Sequence, residues 1–328
     1  MRVLAGDIGG TKTAIAIIDI GPRRSDLVRM ERYASADYPG LEEIVEEFLD
    51  SETSRPAAAG FGVAGPVRDG KAKVTKLPWR LEESRLSRKS GIPRVALVND
   101  FVAAALGLAY LRPRQVATLK RGRAEPGGPV AILGAGTGLG QAVVVRGSGH
   151  GEVVPSEGGH ADFGPRNPLE DRFVVFLRGR FGRATRDRVL SGGGLGLLYE
   201  FLKRDGAASE SARVAAAFRS EDPAAVISRF ALARRDRLCR LALEAFVSIY
   251  GSEAGNLALQ YRATGGVYVA GGIAPKILAE LRRPAFLRSF HDKPPMVELL
   301  ARIPVRVVLD WRVGLLGAAA SARAIGGR

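Results

Sequence analysis

The alternation of apolar runs with glycine and proline breaks predicts a mixed α/β protein. Apolar runs that are too short for helices predict buried strands, and they lie at 2–7, 13–19, 27–34, 57–64, 71–75, 95–98, 130–135, 140–146, 265–270 and 305–309. Segments with apolar residues at helical spacing predict helices, and they lie at 41–49, 81–89, 101–111, 169–181, 195–203, 223–261 and 313–324. Glycines interrupt the longest segment, so we expect a break near Gly251 or Gly255.

The first two strands are joined by a glycine turn that could hold an anion. Its residues are Asp7, Gly9, Gly10, Thr11 and Lys12. Glycine lets backbone N–H groups approach an anion without a Cβ in the way, and the threonine and lysine add a hydroxyl donor and a positive charge. Asp7, at the end of the strand, is placed to hold a hydrated cation. The spacing is not that of a P-loop, and an ordinary hairpin turn with glycines at positive φ explains this segment alone equally well.

A second copy of this pattern favours an anion site over an ordinary hairpin turn. Residues 130–145 repeat the order of strand, turn and strand, with Gly136, Thr137 and Gly138 in the turn. A third apolar strand ends in Gly271 and Gly272, before a helix expected to start near Pro275. Two such turns predict a duplicated fold with a nucleotide between its halves.

Composition excludes several classes of protein. A chain of 328 residues exceeds one ordinary domain, so two lobes are expected. The chain has no apolar run of 18 residues, and it opens directly on a strand, so we expect no membrane span and no secretory signal. The single cysteine, Cys239, excludes an internal disulfide and a cysteine-rich zinc site, and we expect it on a buried helix face. These features predict a cytoplasmic protein.

The formal net charge of +15 raises the question of a nucleic-acid partner. The basic residues are scattered along the chain, and only 7% of residues are aromatic, which leaves few platforms for stacking bases. We therefore favour a solvated basic surface and expect no nucleic-acid partner. Such a surface would also attract ATP or polyphosphate.

The three glycine turns resemble the two phosphate motifs and the adenosine motif of sugar kinases in the actin, Hsp70 and hexokinase superfamily. Further segments resemble the bacterial glucokinase family, not its zinc-containing ROK relatives: Val98-Asn99-Asp100-Phe101, Ser156-Glu157-Gly158-Gly159-His160 and Arg188-Val189-Leu190-Ser191-Gly192. The matches follow the family's order from residue 4 to about residue 320, so the resemblance covers nearly the whole chain.

The resemblance implies a two-lobed actin-like ATPase (ribonuclease H-like) α/β fold, with a duplicated mixed sheet flanked by helices. The smaller lobe would comprise 1–112 and a C-terminal helix at 312–328, and the larger lobe 113–311. The two lobes would close over the sugar and exclude water. A homodimer is also implied.

The implied reaction is transfer of the ATP γ-phosphoryl group to the 6-hydroxyl of glucose, with Mg²⁺ spreading the charge. Asp100 would be the general base, since it follows a buried strand and opens a helix; from the residues alone, an N-cap role is the simpler explanation. The resemblance assigns four sugar contacts: Asn99, Glu157, His160 and Asp187. It assigns the nucleotide to Asp7, Gly9, Gly10, Thr11, Lys12, Gly136, Thr137, Gly138, Gly271 and Gly272, with Asp7 also holding magnesium through water.

Three positions depart from the family pattern. Asp187 stands where glutamate is usual, and its carboxylate is withdrawn by about 1.5 Å. Lys76 stands where asparagine is more frequent; we favour a solvent-facing Lys76, although in the cleft it would favour an anionic or differently substituted sugar. Ala135 replaces proline or glycine and should be tolerated. Asp187, Lys76 and the basic charge leave open a kinase for another hexose or amino sugar, or a polyphosphate-using glucokinase. A catalytically silent sugar sensor is the second alternative.

Overall fold

The computed structural model describes residues 1–145 and 151–327. Its strands are β1 Arg2–Ile8, β2 Lys12–Ile20, β3 Ser25–Ala34, β4 Ala59–Val63, β5 Val67–Arg68, β6 Lys71–Lys73, β7 Arg80–Glu82, β8 Val95–Asn99, β9 Val116–Lys120, β10 Val130–Ala135, β11 Leu139–Val145, β12 Glu152–Ser156, β13 Gly266–Ala270 and β14 Val305–Val308. Its α-helices are α1 Leu41–Leu49, α2 Glu83–Ser90, α3 Asp100–Gly107, α4 Pro168–Phe181, α5 Arg186–Val189, α6 Gly192–Arg204, α7 Ala212–Ala217, α8 Pro223–Leu232, α9 Arg237–Gln260, α10 Leu278–Leu281, α11 Pro284–His291, α12 Val297–Arg302 and α13 Val313–Gly326.

The chain divides into two compact units. The first consists of residues 1–115, 153–155 and 310–328, and the second of residues 116–152 and 156–309. The glycines at 147, 149 and 151 predict a turn at 147–151, and residues 147–150 of it lie outside the described residues.

The first unit is built on a five-stranded sheet in the order β3-β2-β1-β4-β8. The strands β1 and β2 form an antiparallel hairpin, and β4 and β8 continue the sheet in parallel. Alternate side chains of β1 point to opposite faces. Leu4 and Ile8 pack in a core with α1 and α2, whereas Val3 and Ala5 pack against α13.

Glycines let α13 lie very close to its neighbours in the first unit. A methyl group built on Gly317 would lie 1.6 Å from the backbone oxygen of Ala103 in α3, and one on Gly60 of β4 would lie 2.0 Å from that of Ala318. No side chain fits at either position, so these glycines are required by close packing rather than by backbone conformation.

The second unit repeats the same sheet pattern. Its six strands follow the order β12-β11-β10-β13-β14-β9. The hairpin of β10 and β11 corresponds to that of β1 and β2, and β13 and β14 continue it in parallel, as β4 and β8 do. The strand β9 is an additional antiparallel edge that the apolar pattern did not predict. The repeated pattern confirms the predicted duplication.

The helical segment predicted at 223–261 is interrupted, but the position predicted for the break is wrong. The segment breaks at residues 233–236, where Asp236 ends the loop and accepts a hydrogen bond from the Cys239 backbone N–H at 2.8 Å. Gly251 lies inside α9, and a methyl group there would be 2.1 Å from the Phe286 backbone oxygen. The glycine therefore allows α9 and α11 to pack closely rather than interrupting the helix. Cys239 is fully buried on α9, as predicted.

Two helix starts also differ from expectation. After β13 the chain turns as far as Ile277, and α10 begins at Leu278 rather than near Pro275. The helix α6 begins at Gly192, inside the glycine run, because the Ser191 side chain accepts a hydrogen bond from the Gly194 N–H at 3.0 Å and caps it. Among the residues described, no helix is both long and apolar enough to span a membrane.

Candidate active site

The first glycine turn is a tight hairpin turn held by its own backbone. The Gly9 N–H donates to the Lys12 carbonyl oxygen at 3.1 Å, and the Ser35 hydroxyl donates to the Gly9 carbonyl at 3.0 Å. A methyl group on Gly10 would lie 2.6 Å from the Thr75 carbonyl oxygen. Neither glycine has a positive φ, so steric room, not conformation, requires glycine here. Thr11 and Lys12 are exposed beside the turn.

Asp7 lies at the end of β1, just before this turn, in an environment that disfavours its charge. Burial, together with repulsion by the Asp100 carboxylate, raises the pKa of Asp7 to about 7. The first turn of α13 is close by, since a methyl group on Gly314 would be 3.3 Å from Asp7 Oδ2. Two repelling carboxylates in a poorly hydrated site suit a bound cation. In the described part of the chain, no group of three or more His, Cys, Asp or Glu side chains is arranged to hold a metal ion.

Asp100 is the first residue of α3, and the residue before it is the cap. The Asn99 side-chain oxygen accepts hydrogen bonds from the N–H groups of Phe101 and Val102 at 2.9 and 3.3 Å, and its amide donates to the Gly65 carbonyl at 3.2 Å. The alternative in which Asp100 caps the helix is therefore wrong. Asp100 Oδ1 accepts from the Phe101 N–H at 2.9 Å, which holds its carboxylate at the helix N-terminus.

The second glycine turn is joined to Asp187. The Leu139 N–H, directly after the turn, donates to Asp187 Oδ1 at 2.7 Å. A methyl group on Gly138 would lie 2.4 Å from the same oxygen, so glycine is needed there. Gly136 has open space around it, and Thr137 is exposed. The sequence placed Asp187 only with the sugar contacts, and nothing in its pattern indicated this contact with the glycine turn.

Glu157 and His160 lie on one short loop and point to the same place. Their side chains are 73% and 71% exposed, with 3.9 Å between His160 Nε2 and Glu157 Oε2. The loop rests on β11, because a methyl group on Gly159 would lie 2.2 Å from the Leu139 carbonyl oxygen. Leu139 therefore meets both Asp187 and the loop, so the structure groups the predicted sugar contacts of the second unit around the second glycine turn.

The third glycine motif meets the same turn from β13. Gly271 has a φ of +81°, and a methyl group on it would lie 2.5 Å from the Ala135 carbonyl oxygen. The buried Tyr250 hydroxyl accepts a hydrogen bond from the Ala135 N–H at 2.9 Å and donates to the Ala270 carbonyl at 3.3 Å. Burial raises the pKa of Tyr250, so the phenol stays neutral. Sequence reasoning missed Tyr250, because one tyrosine in a long apolar helix carries no distinguishing signal.

Lys76 is exposed, in agreement with the solvent-facing position favoured from the sequence, and it has a φ of +70°. Its Cβ lies 3.2 Å from the position that a methyl group on Gly10 would take. Lys76 thus borders the first glycine turn. Ala135 is fully buried at the end of β10 and is accommodated there, as expected.

Comparison with known proteins assigns this arrangement to a family. The family model for glucokinase matches residues 4–325. A glucokinase of Nostoc sp. is 42% identical over 334 residues, which cover 97% of each chain. The crystal structure of a glucokinase from an Antarctic psychrotroph has a TM-score of 0.86 at 30% identity and covers 98% of this chain and 99% of that one.

A ROK family glucokinase from Streptomyces griseus, solved in complex with glucose and AMPPNP, has a TM-score of 0.67 at 22% identity over 99% of this chain and all of that one. At that identity the likeness concerns the fold alone. Together these similarities confirm the predicted fold class, a mixed α/β architecture of the actin-like ATPase type. The chain therefore belongs to the glucokinase family of sugar kinases.

Proposed function

We propose that this enzyme transfers the γ-phosphoryl group of ATP to the 6-hydroxyl of glucose, with Asp100 as the general base. The supporting observation is that Asn99, and not Asp100, is the cap of α3, and that the Phe101 N–H holds the Asp100 carboxylate at the helix N-terminus beside Asp7. In the reaction the hydroxyl oxygen bonds to the γ-phosphorus, the bond from that phosphorus to the bridging oxygen breaks, and ADP leaves. The hydroxyl proton passes to Asp100.

The two glycine turns and the end of β13 would hold the nucleotide, through Gly9, Gly10, Thr11, Lys12, Gly136, Thr137, Gly138, Gly271 and Gly272. Asp7 would hold Mg²⁺ through water. The raised pKa of Asp7 supports this role, because a carboxylate with an unfavourable charge gains most from a nearby cation. When bound, the ion would spread the negative charge of the transferring phosphoryl group.

The sugar would be held by Asn99, Glu157, His160 and Asp187. The Asn99 side-chain amide donates one of its two protons to the Gly65 carbonyl, so the second can be donated to a sugar hydroxyl oxygen. In Asp187 the Oδ1 atom is used by Leu139, so we assign Oδ2 to the sugar. Glu157 and His160 are exposed, and together they accept and donate hydrogen bonds as a ring of hydroxyl groups requires.

We also propose that the two structural units act as the two lobes of the kinase, in a cytoplasmic homodimer. Light scattering of the purified protein would measure the dimer, and a mass equal to one chain at assay concentrations would exclude it.

The experiment is an initial-rate comparison with Mg-ATP and with polyphosphate, across glucose, mannose, fructose, glucosamine and N-acetylglucosamine. Asp100→Asn should lower turnover by about 10²–10⁴-fold without unfolding the protein. The matched control is Asp50→Asn, an exposed aspartate in the same unit. A stronger preference for another sugar or donor would identify an alternative kinase. No transfer to any sugar, with glucose still bound, would identify a sensor.

A further inference from the structure

One buried carboxylate in the second unit takes no part in the proposed chemistry, yet it bonds to Gln141 and Arg186, which lie next to the proposed sugar contacts there. Glu253 lies on α9 and is only 4% exposed. Its Oε1 atom accepts from Gln141 Nε2 at 2.8 Å and from Arg186 Nη1 at 2.9 Å, and its Oε2 atom accepts from Asn256 Nδ2 at 3.1 Å. The carboxylate is thus fully engaged with donors, as a buried charge must be.

Through Gln141 the carboxylate supports the loop that carries Glu157 and His160. Gln141 is 1% exposed on β11, and the Glu253 contact fixes the direction of its amide. A methyl group on Gly158 would lie 2.3 Å from Gln141 Oε1, so the loop backbone rests directly on this amide. A turn of the amide away from this orientation would displace the loop.

Through Arg186 the carboxylate supports the neighbouring sugar contact. The Arg186 N–H donates to the Ala161 carbonyl at 3.0 Å, at the end of the same loop. The next residue is Asp187, whose carboxylate reaches the Leu139 N–H. The ion pair of Arg186 with Glu253 therefore fixes the start of α5 and, with it, the position of Asp187.

We propose that Glu253 is a positioning residue for glucose, acting through Gln141 and Arg186 to place Glu157, His160 and Asp187. The inference rests on the proposed sugar contacts. A positioning role suits this carboxylate because a buried, fully bonded charge has one low-energy arrangement. Any change in that arrangement would shift the loop and α5 together.

The second unit offers a matched control with the same chemistry and other neighbours. Glu170 is also 4% exposed, and it accepts from the Arg166 N–H and Nε at 2.9 and 3.2 Å. Arg166 and Asn167, which bond to its carboxylate, lie just before α4 and are not among the proposed sugar contacts. A purely structural effect of losing a buried carboxylate should appear equally in both variants.

The test compares Glu253→Gln and Glu170→Gln with the unaltered enzyme. Glu253→Gln should raise the KM for glucose at least about tenfold, given that a 1 Å misplacement can cost about 10²-fold, while the KM for ATP changes little. Calorimetry should show the same weakening of glucose binding without any turnover. Glu170→Gln should lower the melting temperature without changing either KM.

A second variant tests the same inference if Glu253→Gln does not fold. Gln141→Met keeps the length of the side chain, removes the amide beneath Gly158 and should also raise the KM for glucose. In the double variant the two effects should not add, because they act through one network. Unchanged glucose KM and binding in a folded Glu253→Gln enzyme would overturn the inference and leave the proposed function standing. A lack of glucose phosphorylation by the unaltered enzyme would overturn both.

Discussion

Tyr250 and Glu253 lie one turn apart on α9, and each bonds a different part of the second glycine hairpin. The Tyr250 hydroxyl is 2.9 Å from the Ala135 nitrogen at the end of β10, and Glu253 Oε1 is 2.8 Å from Gln141 Nε2 on β11. Residues three apart on a helix share a face. One buried helix therefore supports both the proposed nucleotide contacts and the proposed sugar contacts of the second unit.

Removal of the Tyr250 hydroxyl should weaken both the fold and nucleotide binding. Tyr250→Phe leaves the buried Ala135 N–H without its partner, which costs about 1–3 kcal/mol of the free energy of unfolding. The same change releases the end of β10, so the KM for ATP should rise while that for glucose changes less. Denaturant unfolding and initial rates measure the two effects.

Tyr199→Phe is the matched control for this change. Its hydroxyl donates to Glu210 at 3.2 Å in the same unit, and neither residue is among the proposed nucleotide contacts. It should lower stability without changing the KM for ATP. Equal KM values for ATP in both variants would contradict a role of Tyr250 in nucleotide binding.

The raised pKa of Asp7 should make stability fall with rising pH. The folded protein holds the Asp7 proton up to about pH 7, whereas the unfolded chain releases it near 3.8. The folded state therefore binds more protons between these values. The contribution, on the order of 4 kcal/mol, is full below about pH 4 and is lost as pH rises through 7. Asp7→Asn removes this dependence, and its melting temperature should exceed that of the unaltered protein at pH 8.

The comparison should be made across pH 4–8 without magnesium or nucleotide, with Asp50→Asn as the control. Asp100→Asn should shift the loss of stability to lower pH, because it removes the charge that repels Asp7. Parallel melting curves for Asp7→Asn and the unaltered protein over the whole range would rule out a raised Asp7 pKa. Asp7→Asn should also lose activity, since the proposed magnesium ion would lose its carboxylate.

Two glycine-to-alanine changes in helices should have opposite effects. Alanine is the better helix former by about 1 kcal/mol. At Gly196 in α6 no atom lies within 4 Å of the added methyl group, so Gly196→Ala should stabilise the protein by about 0.5–1 kcal/mol. At Gly251 the methyl group would meet the Phe286 backbone, and Gly251→Ala should destabilise by about 1–3 kcal/mol. Chemical denaturation measures the change in the free energy of unfolding for each variant. Stabilisation by both changes would contradict the close packing of α9 on α11.

Lys76 has a backbone conformation that asparagine or glycine adopts more readily. Its φ of +70° is unfavourable for lysine, so Lys76→Asn should stabilise the protein by about 0.5–1 kcal/mol. Lys73→Asn, also exposed but on β6 and without a positive φ, should give no gain. If Lys76 faces solvent only, the KM for glucose should stay unchanged in both. A lower KM in Lys76→Asn alone would mean that the lysine acts on the sugar.

The apolar pattern predicted the duplicated sheets and the two glycine hairpins, because short apolar runs and glycine turns have local causes. It misplaced the break near Gly251, because a glycine needed for packing against α11 has the same sequence signal as a glycine that ends a helix. It missed β9, an edge strand whose pairing with β14 depends on a partner almost two hundred residues away.

Some residues of the candidate site could likewise be predicted from local sequence, and others could not. The residues near Asp7 and Gly138 could be found from motifs, since glycine turns are recognisable without a structure. The bonds of Tyr250 and Glu253 could not, because their partners on β10, β11 and α5 come from distant parts of the chain. The Asn99 cap illustrates a third case: the sequence indicated a cap at the start of α3 but assigned it to Asp100, one residue too late.

The close fit of α13 against Gly60 and Ala103 has a consequence for biosynthesis. The sheet of the first unit emerges from the ribosome early, but the helix that covers one of its faces comes last. At 5–20 residues per second, roughly 10–40 s separate the synthesis of Gln115 from that of Asp310. During that interval the nascent chain presents the apolar side chains of Val3 and Ala5 without their cover. The first unit can therefore complete its core only after the whole second unit has been synthesised.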